Sequence, residues 1–188
     1  DVLAMDAGGL TSSLSLPAQQ KIKSILITHH HYDHVRDIPA IAMNLFLQNN
    51  TTNVYSTQPV YDTITTYLLN DRLYPNFLKR PPEKPTIKFT VVEPHQTKQI
   101  ESYSILAVPV NHTDPALGYQ VTAPDGKTVF YTGDTGPGLT DCWEYISPQL
   151  IIIEVTASNR FEEWAGEGGH LTPSLLKQEL TSFRELKG

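Results

Sequence analysis

Ile25-Leu26-Ile27-Thr28-His29-His30-His31-Tyr32-Asp33-His34 joins two kinds of sequence in ten residues. Its first half is a short apolar run of large and β-branched residues, the pattern of a buried strand. Its second half packs four imidazoles and a carboxylate together, a donor set that suits zinc, manganese or iron. A polar cluster directly after a buried strand falls at the strand end, where open α/β sheets place their ligands. Alternate side chains of an extended loop point the same way, so His29 and His31 can grip one ion. Asp33 and His34 then turn away and can serve a second. By the same alternation His30 points elsewhere and is read as a supporting or packing residue. A histidine tag would sit at a terminus and lack the embedded aspartate.

Outward from this stretch, the chain alternates strand and helix. Asp1 to Asp6 reads as a strand stopped by Gly8-Gly9, and Lys23 to Thr28 as the strand feeding the histidines. Between them, Ser12 to Gln20 is expected as a loop with a helical turn after Pro17. Ile38, Ile41, Ala42, Leu45 and Phe46 recur at helical spacing, and Gln58 to Leu69 repeats the pattern after a short strand at Val54-Tyr55. Prolines from Tyr74-Pro75 to Pro85 break any regular helix over Asn70 to Pro85. That stretch is either a surface linker or a substrate-side loop presenting Tyr74 and Phe77. Thr86 to Glu93 and Gln99 to Val110 are expected as two antiparallel strands, with His95 solvated in the turn between them. Leu117 to Thr122 and Thr128 to Tyr131 form a hairpin about Pro124-Asp125-Gly126. Thr140 to Ile146 reads as a short helix and Leu150 to Val155 as a fully buried strand. A glycine-rich loop, Ala165 to Gly169, leads to His170. Thr172 is a good N-cap, with Pro173 at the first position of the last helix.

The bulk numbers narrow the class. A chain of 188 residues is long enough for one domain with a sizeable core. No apolar run approaches the ~20 residues of a membrane span, and no signal peptide is evident. The single cysteine, Cys142, excludes an internal disulfide framework and fits a reducing, cytoplasmic compartment. It reads as a packing residue, since no histidine neighbours it. A net charge of −6 argues against a large basic grip on nucleic acid, and no membrane partner is expected.

Three further motifs follow strands in the same way: His112, Asp134 in Gly133-Asp134-Thr135-Gly136, and Gly169-His170-Leu171-Thr172-Pro173. Asp134 alone could be a turn aspartate. Beside a multi-imidazole motif it becomes a ligand candidate, because two metals need a shared anion. His112 is then the natural third nitrogen for the first metal. His170 is not needed for capping, which leaves its ring for the site. Glu154, ending a strand, could hold a histidine's second nitrogen or be a surface carboxylate.

His29-x-His31-x-Asp33-His34, His112, Asp134 and His170 together resemble the metallo-β-lactamase superfamily over nearly the whole chain. The resemblance implies an α/β fold, an αβ/βα four-layer sandwich with a dinuclear site at one edge. It implies His29, His31 and His112 on the first metal, Asp33 and His34 on the second, and Asp134 bridging. It also implies a sandwich whose first strands precede Asp1 and whose last strand, bearing one more histidine ligand, follows Gly188. Asn70 to Phe77, Gly133 to Pro137, Trp143, Ile152 to Glu154 and Gly169 to Pro173 look like the class II cyclic-nucleotide phosphodiesterases. The tRNA 3′-processing endonucleases share the metal motifs.

The implied activity is hydrolysis of a small phosphodiester such as a cyclic nucleotide, through a hydroxide shared by two divalent ions, zinc by expectation. His170 would protonate the leaving group, Asp33 would orient the hydroxide as well as bind metal, and Tyr74 and Phe77 would contact substrate. An RNA-processing endonuclease, a (thio)ester or lactam hydrolase and a non-catalytic metal-binding module are the alternatives. Homodimerisation is left open.

Overall fold

The computed structural model describes residues 2–188 and divides into two compact units, residues 1–92 and 93–188. In the first, β1 (Val2–Met5), β2 (Ile22–Leu26), β3 (Thr52–Ser56) and β4 (Ile87–Val91) form a parallel sheet in that order. The crossovers carry one-turn helices α1 (Leu10–Ser13), α2 (Leu16–Gln19) and α3 (Tyr32–Val35). The longer α4 (Ile38–Phe46) follows, then α5 (Gln58–Thr63), which continues as a π-turn over Ile64–Leu68.

Parallel strands are covered on both faces, which is why β2 buries consecutive residues, Ser24, Ile25 and Leu26, rather than alternate ones. Ile22, Ile25, Leu26 and Ile27 are each at most 1% exposed. The helical stripe Ile38, Ile41, Ala42 and Leu45 and the residues Val54, Val60 and Ile64 complete this core. The irregular segment after α5 contributes to it as well. Phe77 is 2% exposed, with its ring 5.4 Å from that of Phe46. The expectation that Phe77 meets substrate is therefore corrected: a large apolar ring in a chain without helix or strand is still the best available plug for a core. Tyr74 packs half-buried against the same cluster.

In the second unit, β5 (Thr97–Ile100), β6 (Tyr103–Val110), β7 (Ala116–Thr122) and β8 (Thr128–Tyr131) are antiparallel neighbours. Helix α6 (Thr140–Tyr145) follows, and β9 (Leu150–Ile152) joins β8 in parallel. Helix α7 (Glu162–Glu167) follows a 3₁₀ turn at Asn159–Phe161, and α8 (Pro173–Lys187) ends the chain. The core centres on Trp143, fully buried among Val108, Phe130, Leu139 and Ile146 and edge-on to Phe183.

Three expectations change here. Thr86 to Glu93 does not pair with Gln99 to Val110; β4 joins β3 in parallel, and β6 pairs with β5 about a two-residue turn at Glu101-Ser102. Alternation sets which faces a strand buries, but not its partner. Leu150 to Val155 is not fully buried either: β9 stops at Ile152 as the terminal strand of its sheet, with Leu150 56% and Ile152 44% exposed. Ser12 to Gln20 holds the expected helical turn as α2, around Pro17, but adds the end of α1 where only loop was expected. His95 is exposed in its turn, as expected. No helix among the described residues is long and apolar enough to cross a membrane.

The topology prepares two strand-end clusters. All four strands of the first sheet run the same way, so Asp6 after β1 and His29 after β2 lie at one edge. In the second sheet β6, β8 and β9 share a direction, so His112, Asp134 and Glu154 all follow their strands at a common edge.

Candidate metal centre and acid–base site

The first cluster is organised by a residue that the sequence pattern did not single out. Asp6, 6% exposed and in the left-handed conformation at φ 57°, sits at the end of β1. Its Oδ1 accepts from the Thr28 amide at 2.8 Å, and its Oδ2 lies 2.8 Å from His34 Nδ1. The Thr28 hydroxyl is 3.1 Å from both carboxylate oxygens and 3.0 Å from His29 Nδ1. A carboxylate only accepts, so His34 must donate from Nδ1. With the Thr28 proton directed at Asp6, its oxygen accepts from His29 Nδ1–H. One buried carboxylate thus sets the tautomer of two imidazoles and leaves the lone pair of each on Nε2. This is the support that a metal-ligating histidine requires.

The rings of His29 and His31 are 4.5 Å apart, and those of His29 and His34 are 4.2 Å apart. His34 therefore does not turn away from His29, as strand-like alternation predicts. The chain enters α3 after His31, and helical geometry brings residue 34 back over the loop. Asp33, with a side chain 70% exposed, has its Oδ2 3.6 Å from His34 Nε2. The His30 ring is 5.6 Å from that of His31. Gly8 explains the close approach of the first loop. A Cβ there would lie 1.5 Å from the Asp33 carbonyl oxygen, so only glycine lets the two loops touch.

In the second cluster, Glu154 plays the corresponding part. Its Oε1 accepts from the Thr135 amide at 2.9 Å and from His170 Nδ1 at 2.7 Å; its Oε2 accepts from the Thr156 hydroxyl and, at 3.4 Å, from the Leu171 amide. Donor atoms of Asp134, Glu154 and His170 all lie within 4.8 Å of one another. His112 donates from Nδ1 to the Gly169 carbonyl at 2.8 Å, which again leaves Nε2 as the lone-pair nitrogen. Its ring is 5.1 Å from that of His170. Gly169 has φ +67°, and a Cβ on it would come within 2.9 Å of His112 Cα and Nδ1.

The segment before His170 is not the open glycine loop that composition suggests. Ala165 to Glu167 belong to α7, and the Gly168, Gly169 and His170 amides donate to the Trp164, Gly166 and Ala165 carbonyls. Thr172 caps α8 by accepting from the Leu175 amide, and its hydroxyl contacts Glu162 Oε2 at 3.3 Å.

Glu179 is a further residue the sequence did not reveal, because it is one carboxylate on an amphipathic helix. At 7% exposure it accepts from the Gly138 amide (2.7 Å), the Leu139 amide (3.1 Å) and Trp143 Nε1 (3.2 Å). It ties α8 to the loop after Asp134, and that loop reaches the His112 segment through Gly136 N–H to Asn111 O at 2.6 Å. Burial, with Glu179 nearby, pushes the Cys142 thiol up to about 12, in keeping with a packing role.

The donor set of each cluster fits a transition-metal ion: imidazoles with fixed tautomers beside carboxylates. Comparison with known proteins gives the family. The model of a family described as "Beta-lactamase superfamily domain" matches residues 7–187. A 3′,5′-cyclic-nucleotide phosphodiesterase of Schizosaccharomyces pombe is 35% identical over 96 residues, 50% of this chain and 26% of that protein. A ribonuclease Z of Pyrococcus abyssi is 32% identical over 114 residues, 58% of this chain and 34% of that protein. The chain thus spans about a quarter to a third of the length of these relatives. Among solved structures, unliganded yeast PDE1 superposes with a TM-score of 0.80 at 18% identity, over 95% of this chain and 58% of that one.

Proposed function

The chain belongs to the metallo-β-lactamase superfamily, and on that premise we propose that it is a metal-dependent phosphodiester hydrolase acting on a cyclic nucleotide or a similar small diester. The observation that carries this reading is the Glu154–His170 pair. A carboxylate engaged by two backbone amides and a hydroxyl holds one nitrogen of an imidazole, with the Asp134 carboxylate among its neighbours. That is the arrangement a proton donor needs.

His29, His31 and His112 are the ligands assigned to one divalent ion, Asp33 and His34 those of a second, and Asp134 is assigned to both. Zinc is the leading candidate and manganese or iron the alternatives. When bound, such ions would lower the pKa of water and neutralise charge on the phosphoryl oxygens. The protein's own part is positional. Asp6 and Thr28 hold His29 and His34 in one tautomer. His112 is held by the Gly169 carbonyl. Asp33 orients the attacking water. His170 gives up its Nε2 proton to the departing alkoxide, while Glu154 stabilises the imidazolium through Nδ1–H.

RNA processing is the second reading, favoured by the similarity to a ribonuclease Z. The net charge of −6 favours the small diester, because an RNA grip draws on clustered Lys and Arg.

Metal analysis and turnover on bis(p-nitrophenyl) phosphate, cyclic AMP and a tRNA precursor test both readings. The expected result is bound metal, activity on the first two, and loss of metal and activity together in His31→Ala. A His31→Ala protein with unchanged metal content would overturn the ligand assignment. Turnover of the tRNA precursor alone would establish the second reading instead.

A further inference from the structure

The chain holds two tryptophans, and they are placed in opposite ways. Trp143 is fully buried and hydrogen-bonded to Glu179. Trp164 is 58% exposed, and Phe161, three residues earlier, is 48% exposed, with the Arg160 guanidinium 4.6 Å over the Phe161 ring. Leaving an indole in water forgoes the gain of burying one of the largest apolar side chains. Trp164 is nevertheless not on a loose tip. Its carbonyl accepts from the Gly168 amide at 2.9 Å, and the next residue's carbonyl accepts from the His170 amide at 2.7 Å. The backbone around Trp164 is therefore tied to that of His170. The planes of the two rings differ by only 19°.

A planar group lying on Trp164 would lie nearly parallel to the imidazole, whose ring centroid is 6.4 Å from that of the indole. In a nucleotide, the base and the ribose oxygens are separated by a single sugar ring. We propose that Trp164 is a stacking platform for the nucleobase of the substrate, with Phe161 at its margin, so that the site takes nucleoside phosphates in preference to diesters without a base. The proposal rests on the reading of His170 as the acid that serves the leaving oxygen. It moves the aromatic contact away from Phe77, which the core occupies, to a ring that solvent reaches.

Tryptophan emission tests this directly, because Trp143 is shielded and serves as the internal reference. Metal-loaded protein is titrated with AMP, ribose 5-phosphate and inorganic phosphate, in wild type, Trp164→Ala and Trp164→Phe. AMP should quench wild-type emission saturably and the two base-free phosphates should not. Trp164→Ala should abolish the quenching and weaken AMP binding, measured by calorimetry, roughly 5- to 150-fold, the range that stacking spans. Ribose 5-phosphate affinity should stay within about twofold, and Trp164→Phe should recover part of the AMP affinity, since the test is of a ring rather than of a fold. AMP and ribose 5-phosphate weakened equally, or unchanged AMP affinity in Trp164→Ala, would overturn the platform. Hydrolysis of cyclic AMP with base-independent binding sinks this inference alone. Base-dependent binding through Trp164 without turnover of any diester sinks the phosphodiesterase reading alone.

Discussion

The loop after β2 and the loops after β8 and β9 are organised by the same device, used to different ends. Each has one carboxylate that accepts from a backbone amide and from a histidine Nδ1: Asp6 with Thr28 and His34, Glu154 with Thr135 and His170. In the first case the pair is sealed, with side chains 8% and 11% exposed. In the second it is more open, at 12% and 19%, and an exposed tryptophan stands beside it. A sealed pair fixes where lone pairs point. A pair that solvent and ligand can reach can also move a proton. Under the proposed function, this contrast gives metal support to Asp6 and acid–base work to the Glu154–His170 pair.

Three substitutions would break or sharpen that contrast. Asp6→Ala should have the largest effect, since it orphans the buried Thr28 amide and His34 Nδ1–H at about 1–3 kcal/mol each. Chemical denaturation should show a loss of several kcal/mol, together with lost metal. A variant of near-native stability that still binds metal would show that the sealed carboxylate supports nothing.

Glu154→Gln should leave folding within about 1–2 kcal/mol, because the amide oxygen can still accept from some of the same donors. It should slow cyclic-nucleotide turnover by about 10²–10⁴-fold while affecting a nitrophenyl diester far less, since nitrophenolate leaves without a proton. Equal losses on both substrates would place Glu154 in structural support, like Asp6, and erase the contrast.

Thr172→Ala should be the mildest. Losing the N-cap of α8 should cost about 1 kcal/mol by thermal or chemical unfolding. Turnover should change little, because His170 is held by Glu154 and by its amide bond to Ala165 rather than by the cap. A large fall in turnover at near-native stability would show that the Thr172 hydroxyl, not Glu154, positions His170.

Much of the candidate site was legible because its motifs are local in sequence. Four imidazoles and a carboxylate follow one apolar strand, and His112, Asp134 and His170 each stand in a short motif beyond another element. What escaped is long-range. Asp6 reads as the end of a strand until Thr28 and His34, 22 and 28 residues away, converge on it. Glu179 reads as a helix surface carboxylate until three donors around Gly138 and Trp143 meet it. Phe77 reads as a loop aromatic because no periodicity marks it for the core.

The sequence by itself determined most of the strands and helices, and which residue types could carry metal-binding and acid–base chemistry. Those follow from local propensity, periodicity and residue type. Only the tertiary structure decided partners. It placed β4 beside β3, left β9 as a terminal strand, curled His34 back to His29, and set Trp164 beside His170. Strand pairing and buried hydrogen bonds join residues far apart in the chain, and their geometry is fixed only when the core closes around them.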